Sequence, residues 1–85
     1  MNELSFGQYL RLIREGNVKE YSLRGAARVI GKSPSWLSRA ERDIETPSFE
    51  TCLELASHFN CDPDELLSRI PKYKRIMDYA RGVSK

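Results

Sequence analysis

Three features of the 85-residue chain predict an all-α fold of five helices followed by a short sixth. Apolar residues recur at spacings of three and four along most of the sequence. A serine or aspartate stands just before each of the first five such stretches, and Gly, Asn or Pro stands after most of them. Alternation of the strand type is not convincing anywhere.

Ser5 with Gln8 forms a capping box, and Phe6, Leu10 and Ile13 supply an inward stripe to about Arg14, where Gly16-Asn17 ends the helix. Ser22 caps the second helix, in which Leu23, Ala26, Ala27 and Ile30 fall at i, i+3, i+4 and i+7. Gly25 lies within it, at a cost of ~1 kcal/mol relative to Ala. Gly31 can adopt the left-handed conformation that closes a helix, and Ser33-Pro34 opens a third, to about Arg42, with a hydroxyl cap and a proline at the first helical position. Asp43 to Pro47 reads as a loop. Ser48 caps a fourth helix whose Phe49, Leu53, Ala56 and Phe59 share one apolar face, flanked by Cys52 and Leu55 and closed by Asn60. Asp62-Pro63-Asp64-Glu65 reads as a further capping box, opening a fifth helix through Leu66, Leu67 and Ile70. Pro71 breaks or kinks the helix at that point.

Pro71 marks off the last segment, giving a domain over 1–70 and a basic amphipathic segment over 71–85. Tyr73, Ile76, Met77 and Ala80 keep helical spacing there, while Lys72, Lys74, Arg75, Arg81 and Lys85 face only Asp78. This stripe is expected to pair with its copy in a second subunit; folding back on its own domain, or a frayed basic tail, are the competing readings.

The net charge of +2 carries little information, but its distribution does. Between Ser22 and Arg42, Arg24, Arg28, Lys32, Arg39 and Arg42 stand against Glu41 alone. Between Phe49 and Ile70 the balance reverses, with Glu50, Glu54, Asp62, Asp64 and Glu65 against Arg69. A molecule of that polarity meets phosphates with its second and third helices and turns its fourth and fifth to solvent or a partner.

On a wheel of ~100° per residue, Leu37, Ala40 and Glu41 share one side of the third helix. Ser35, Ser38, Arg39 and Arg42 share the other, and Trp36 lies near the boundary. Small hydroxyl residues let a helix backbone approach a groove, and arginines reach guanine edges or phosphate oxygens. Ser35 and Arg39 are therefore the expected base readers, with Ser38 open to a base or a phosphate. Arg24, Lys32 and Arg42 are the expected phosphate contacts, and Ser33 serves chiefly as the cap. Trp36 is open to packing beside the turn or to contact with a sugar or thymine methyl, the latter favoured.

With Phe6-Gly7-Gln8-Tyr9-Leu10-Arg11-Leu12-Ile13-Arg14, Ser22 to Gly31, Ser33 to Arg42, Pro47-Ser48-Phe49 and Asp62 to Leu67 in order, the chain resembles the Cro/repressor (XRE-like) helix-turn-helix family over residues 4–68. The resemblance implies a lambda-repressor-like DNA-binding fold in which Arg14 pairs with Glu41 and so orients the recognition helix. A surface ion pair is the alternative for those two residues. The connection from Arg14 to Ser22 is about two residues longer than the family pattern.

Other chemistry is not expected. Cys52, His58 and Cys61 lack the closed ligand set that zinc needs, with His58 about 240° round the helix from Cys52 at ~100° per residue. No glycine-rich phosphate loop or nucleophile beside a base is present, so no catalytic residue, metal or cofactor is predicted. No signal peptide or membrane span is evident, and a cytoplasmic location is expected. The expected protein is this domain alone: a transcriptional regulator, most simply a repressor, bound to double-stranded DNA as a homodimer on a palindromic operator. A small bacterial, phage or mobile-element regulator fits the resemblance, with a regulatory protein partner as a further route of control. The alternative is a helical protein-interaction module, antitoxin-like or partner-binding, that keeps the fold with little specific DNA binding.

Overall fold

The computed structural model describes residues 3–17 and 21–82. Six helices run α1(Phe6–Glu15), α2(Leu23–Val29), α3(Pro34–Glu41), α4(Phe49–Phe59), α5(Pro63–Leu67) and α6(Pro71–Gly82), with no strand among the described residues. The lengthened connection between Arg14 and Ser22 contains residues 18–20, which lie outside the described residues, as does Lys85.

Local chemistry starts and stops these helices. Ser5, Ser22, Ser33 and Ser48 each accept an amide N–H three residues on, and Gln8 returns a bond to the Ser5 N–H, completing its capping box. Gly31 sits at φ 71° between α2 and α3, and Asn60 closes α4 at φ 59°. Both are residue types that tolerate the left-handed region.

α1 packs on α3 and α5, α2 on α3, and α4 on α5. The core they enclose contains Phe6, Leu10, Ala26, Ala27, Ile30, Leu37, Ala40, Cys52, Leu55, Ala56, Phe59, Leu66, Leu67 and Ile70, with Tyr73 of α6 joined to it. Leu10, Leu37, Leu55, Leu66 and Cys52 are wholly enclosed.

Three expectations are corrected. The inward face of α4 is Cys52, Leu55, Ala56 and Phe59, with Thr51 beside them, whereas Phe49 and Leu53 lie half-exposed at its edge. Helical spacing defines a stripe but leaves its rotation open; the packing against α5 sets it. Asp62 caps α5 by accepting the Asp64 N–H at 3.0 Å, but Glu65 does not complete a box, because its carboxylate meets Arg69 at 3.1 Å. α5 ends at Leu67, short of the expected extent, and Ile70 reaches the core from the turn after it.

The stripe on α6 is also divided. Tyr73 is buried against its own domain, where its hydroxyl donates to the Pro47 carbonyl at 2.8 Å and its ring meets Phe49 edge-on at 5.5 Å. Met77 packs half-buried on the same core. Tyr73 is thus not available to a second subunit, and Ile76 and Ala80 are the members of the expected set that face outward. Arg81 ties the far end of α6 to Asp64 of α5 at 3.0 Å, so the acids of α5 are partnered rather than merely solvated.

Candidate nucleic-acid interface

The turn between α2 and α3 is held by backbone bonds. The amides of Gly31 and Lys32 donate to the carbonyls of Arg28 and Ala27 at 3.1 and 2.9 Å, ending α2. Just beyond them the Ser33 hydroxyl accepts the Trp36 N–H at 3.0 Å and Pro34 takes the first helical position, starting α3. The inner side of α3 is then sealed by Leu37 and Ala40, both fully buried. Its outer side is set by the period of the helix, and Ser35 and Arg42 lie there with Ser38 and Arg39, the first two exposed and the last two half-exposed. Arg24 and Lys32 are exposed beside them, as is Ser33.

Trp36 takes an intermediate position. Its ring packs against the core, and the Lys32 ammonium stands 5.1 Å from the ring centroid. One lysine and one tryptophan therefore make a joint feature at the front of α3, with the cation held over the ring face.

A buried ion pair joins α1 to the end of α3. Arg14 on α1 donates from Nε and Nη2 to the two carboxylate oxygens of Glu41 at 2.5 and 2.9 Å, and its Nη1 donates to the Tyr21 carbonyl at 3.2 Å. The two side chains are only 9% and 7% exposed, so this is not the surface pair weighed as the alternative. A two-pronged contact leaves the recognition helix little freedom to roll.

A second contact lies at the other end of α1. Asp43, at φ 62° in the turn leaving α3, accepts the Gly7 N–H at 2.8 Å and the Ser5 hydroxyl at 2.6 Å. Gly7 is what permits that approach, because a Cβ there would lie 2.7 Å from the Ala40 carbonyl oxygen. α1 and α3 are therefore joined near both ends of α1, by Asp43 and by Arg14.

Periodicity and capping rules single out neither Asp43 nor Glu45. Glu45 ion-pairs with Arg39 at 3.5 Å, placing an acid beside the outward arc of α3. A glycine inside the apolar stripe of α1 is the available signal of a close backbone approach; nothing comparable marks the two acids.

Among the described residues no three His, Cys, Asp or Glu side chains gather as a metal site. Burial pushes the Cys52 thiol up to about 11, far from a reactive thiolate. No described helix is long and apolar enough to cross a membrane.

The chain matches the family model described as Helix-turn-helix over residues 10–66, from within α1 into α5. It belongs to the Cro/XRE-type helix-turn-helix family. This helix-turn-helix protein is accordingly DNA-binding and transcription-regulator-like, with the small all-α lambda-repressor-like fold. The match covers the Arg14–Glu41 pair and all of α3, while α6 lies beyond it. Comparison with curated proteins finds no match.

Proposed function

We propose that this chain is a sequence-specific transcriptional repressor that binds a palindromic operator as a homodimer. The observation that carries the reading is the outward hydroxyl and arginine face of α3, on a helix whose orientation is held by the buried Arg14–Glu41 pair. Ser35, Arg39 and Ser38 would face base edges in the major groove, and Trp36 with Lys32 would meet the sugar-phosphate wall or a thymine methyl. Arg24, Lys32 and Arg42 would hold phosphates, which positions the helix without reading sequence. Such a role needs no catalytic group or cofactor and belongs in the cytoplasm, where its DNA would be.

Pairing with a second copy is supported by the outer flank of α6. Ile76 and Tyr79 are 58% and 75% exposed, and Ala80 adjoins them, with half-exposed Phe49 and Leu53 on α4. Two copies joined there would offer two recognition helices to half-sites about one helical turn apart.

Selection of duplexes from a random pool by the purified protein tests the whole reading. The expected product is a two-fold symmetric motif whose binding weakens steeply with salt. Arg39→Ala should flatten preference at one position of each half-site, whereas Arg42→Ala should weaken all duplexes alike. Recovery of no motif, with feeble binding indifferent to Arg39, rejects the reading.

A further inference from the structure

The chain leaves α3 by a turn whose amides converge on one acceptor. The Arg39 carbonyl receives the N–H groups of Arg42, Ile44 and Glu45 at 3.2, 2.9 and 3.3 Å. This returns the backbone to the exit of the recognition helix and brings the Glu45 carboxylate within 3.5 Å of Arg39 Nε. The two side chains are 39% and 41% exposed, so the pair is open to exchange with an incoming ligand. An acid in this place is electrostatically wrong for phosphate binding, since it neutralises a cation of the basic face and repels the DNA backbone.

We propose that Glu45 is a positioning residue that determines specificity: it holds Arg39 back from phosphate oxygens and presents it to a base edge. The inference rests on the sequence-specific DNA binding proposed above. Because Glu45 faces the Nε side of the guanidinium, the Nη1 and Nη2 edge keeps two parallel donors, the arrangement that matches guanine O6 and N7. On a non-cognate duplex the competing acceptors are phosphate oxygens, whose negative charge the Glu45 carboxylate repels, whereas an uncharged guanine edge meets little such repulsion. On the cognate site the guanine edge binds without breaking the pair. Glu45 thus weakens non-specific binding more than specific binding.

The test uses the full chain with two probes of equal length, a duplex selected by the wild-type protein and its shuffled counterpart. Glu45→Gln, which keeps the shape and removes the charge, should raise affinity for the shuffled duplex about two- to fivefold, the size expected of a half-exposed ion pair. Affinity for the selected duplex should change less, so the ratio of the two falls. The salt slope on the shuffled duplex should steepen by about 0.9 per subunit as each Arg39 gains a phosphate. In an Arg39→Ala background the same substitution should leave the ratio unchanged. Equal gains on both duplexes, an unchanged ratio, a ratio change that persists without Arg39, or weaker binding to both with a lowered melting temperature overturns the role of Glu45. A wild-type protein with no preference for its selected duplex instead removes the sequence-specific reading itself, and the role of Glu45 with it.

Discussion

The Asp43 carboxylate accepts the Gly7 amide at 2.8 Å, so the turn that leaves the recognition helix caps the amino end of α1. The chain separation is 36 residues, and the bond adds negative charge where the helix dipole favours it. Asp43→Ala should lower stability by about 2 kcal/mol, combining the lost cap with a side chain poorly suited to φ 62°. Asp43→Asn and Asp43→Gly should each lose less, the first keeping an acceptor and the second removing the strain. Urea unfolding of the three variants checks the order.

Breaking the Arg14–Glu41 pair from one side leaves a buried charge without its partner. Arg14→Met or Glu41→Leu alone should each cost about 3 to 5 kcal/mol. The double variant should be more stable than either single one, because two apolar groups of similar bulk need no counterion. If the pair orients the helix, that double variant, although folded, should still bind the selected duplex less tightly than wild type.

Gly7→Ala replaces a residue with a better helix former and should nonetheless destabilise the protein by about 1 to 3 kcal/mol, the range for overpacking. The added methyl meets backbone of α3, which cannot rotate aside. Gly82→Ala has open space around it and should be neutral or slightly stabilising. Thermal melting of both variants against wild type decides the comparison.

α6 has an inner and an outer flank, and substitutions should separate them. Tyr73→Phe removes the donor to the buried Pro47 carbonyl and should cost about 1 to 3 kcal/mol without altering the oligomeric state. Ile76→Asp, on the exposed flank, should leave the melting temperature of the subunit nearly unchanged while converting dimer to monomer. Sedimentation reads the second effect. A wild-type monomer at every concentration that supports operator binding rejects the proposed pairing.

Most of the architecture was legible because helix starts and stops are local events. Ser5, Ser22, Ser33 and Ser48 reach amides three residues away, and Gly31 and Asn60 mark helix ends by the conformations they tolerate. The outward arc of α3 was equally readable, since helical period alone separates Leu37 and Ala40 from Ser35 and Arg42. What periodicity left open was decided by packing between distant segments: the rotation of α4 that half-exposes Phe49 and Leu53, and the turning of Tyr73 toward Pro47. Asp43 on α1 and Glu45 beside Arg39 belong to the same group, because each depends on the path of the turn after α3 rather than on a repeat along the chain. Local bonds and helical period were enough to specify where the helices run and which arc of α3 faces outward. Their rotations and the partners of their charges depended on which surfaces met when the core closed.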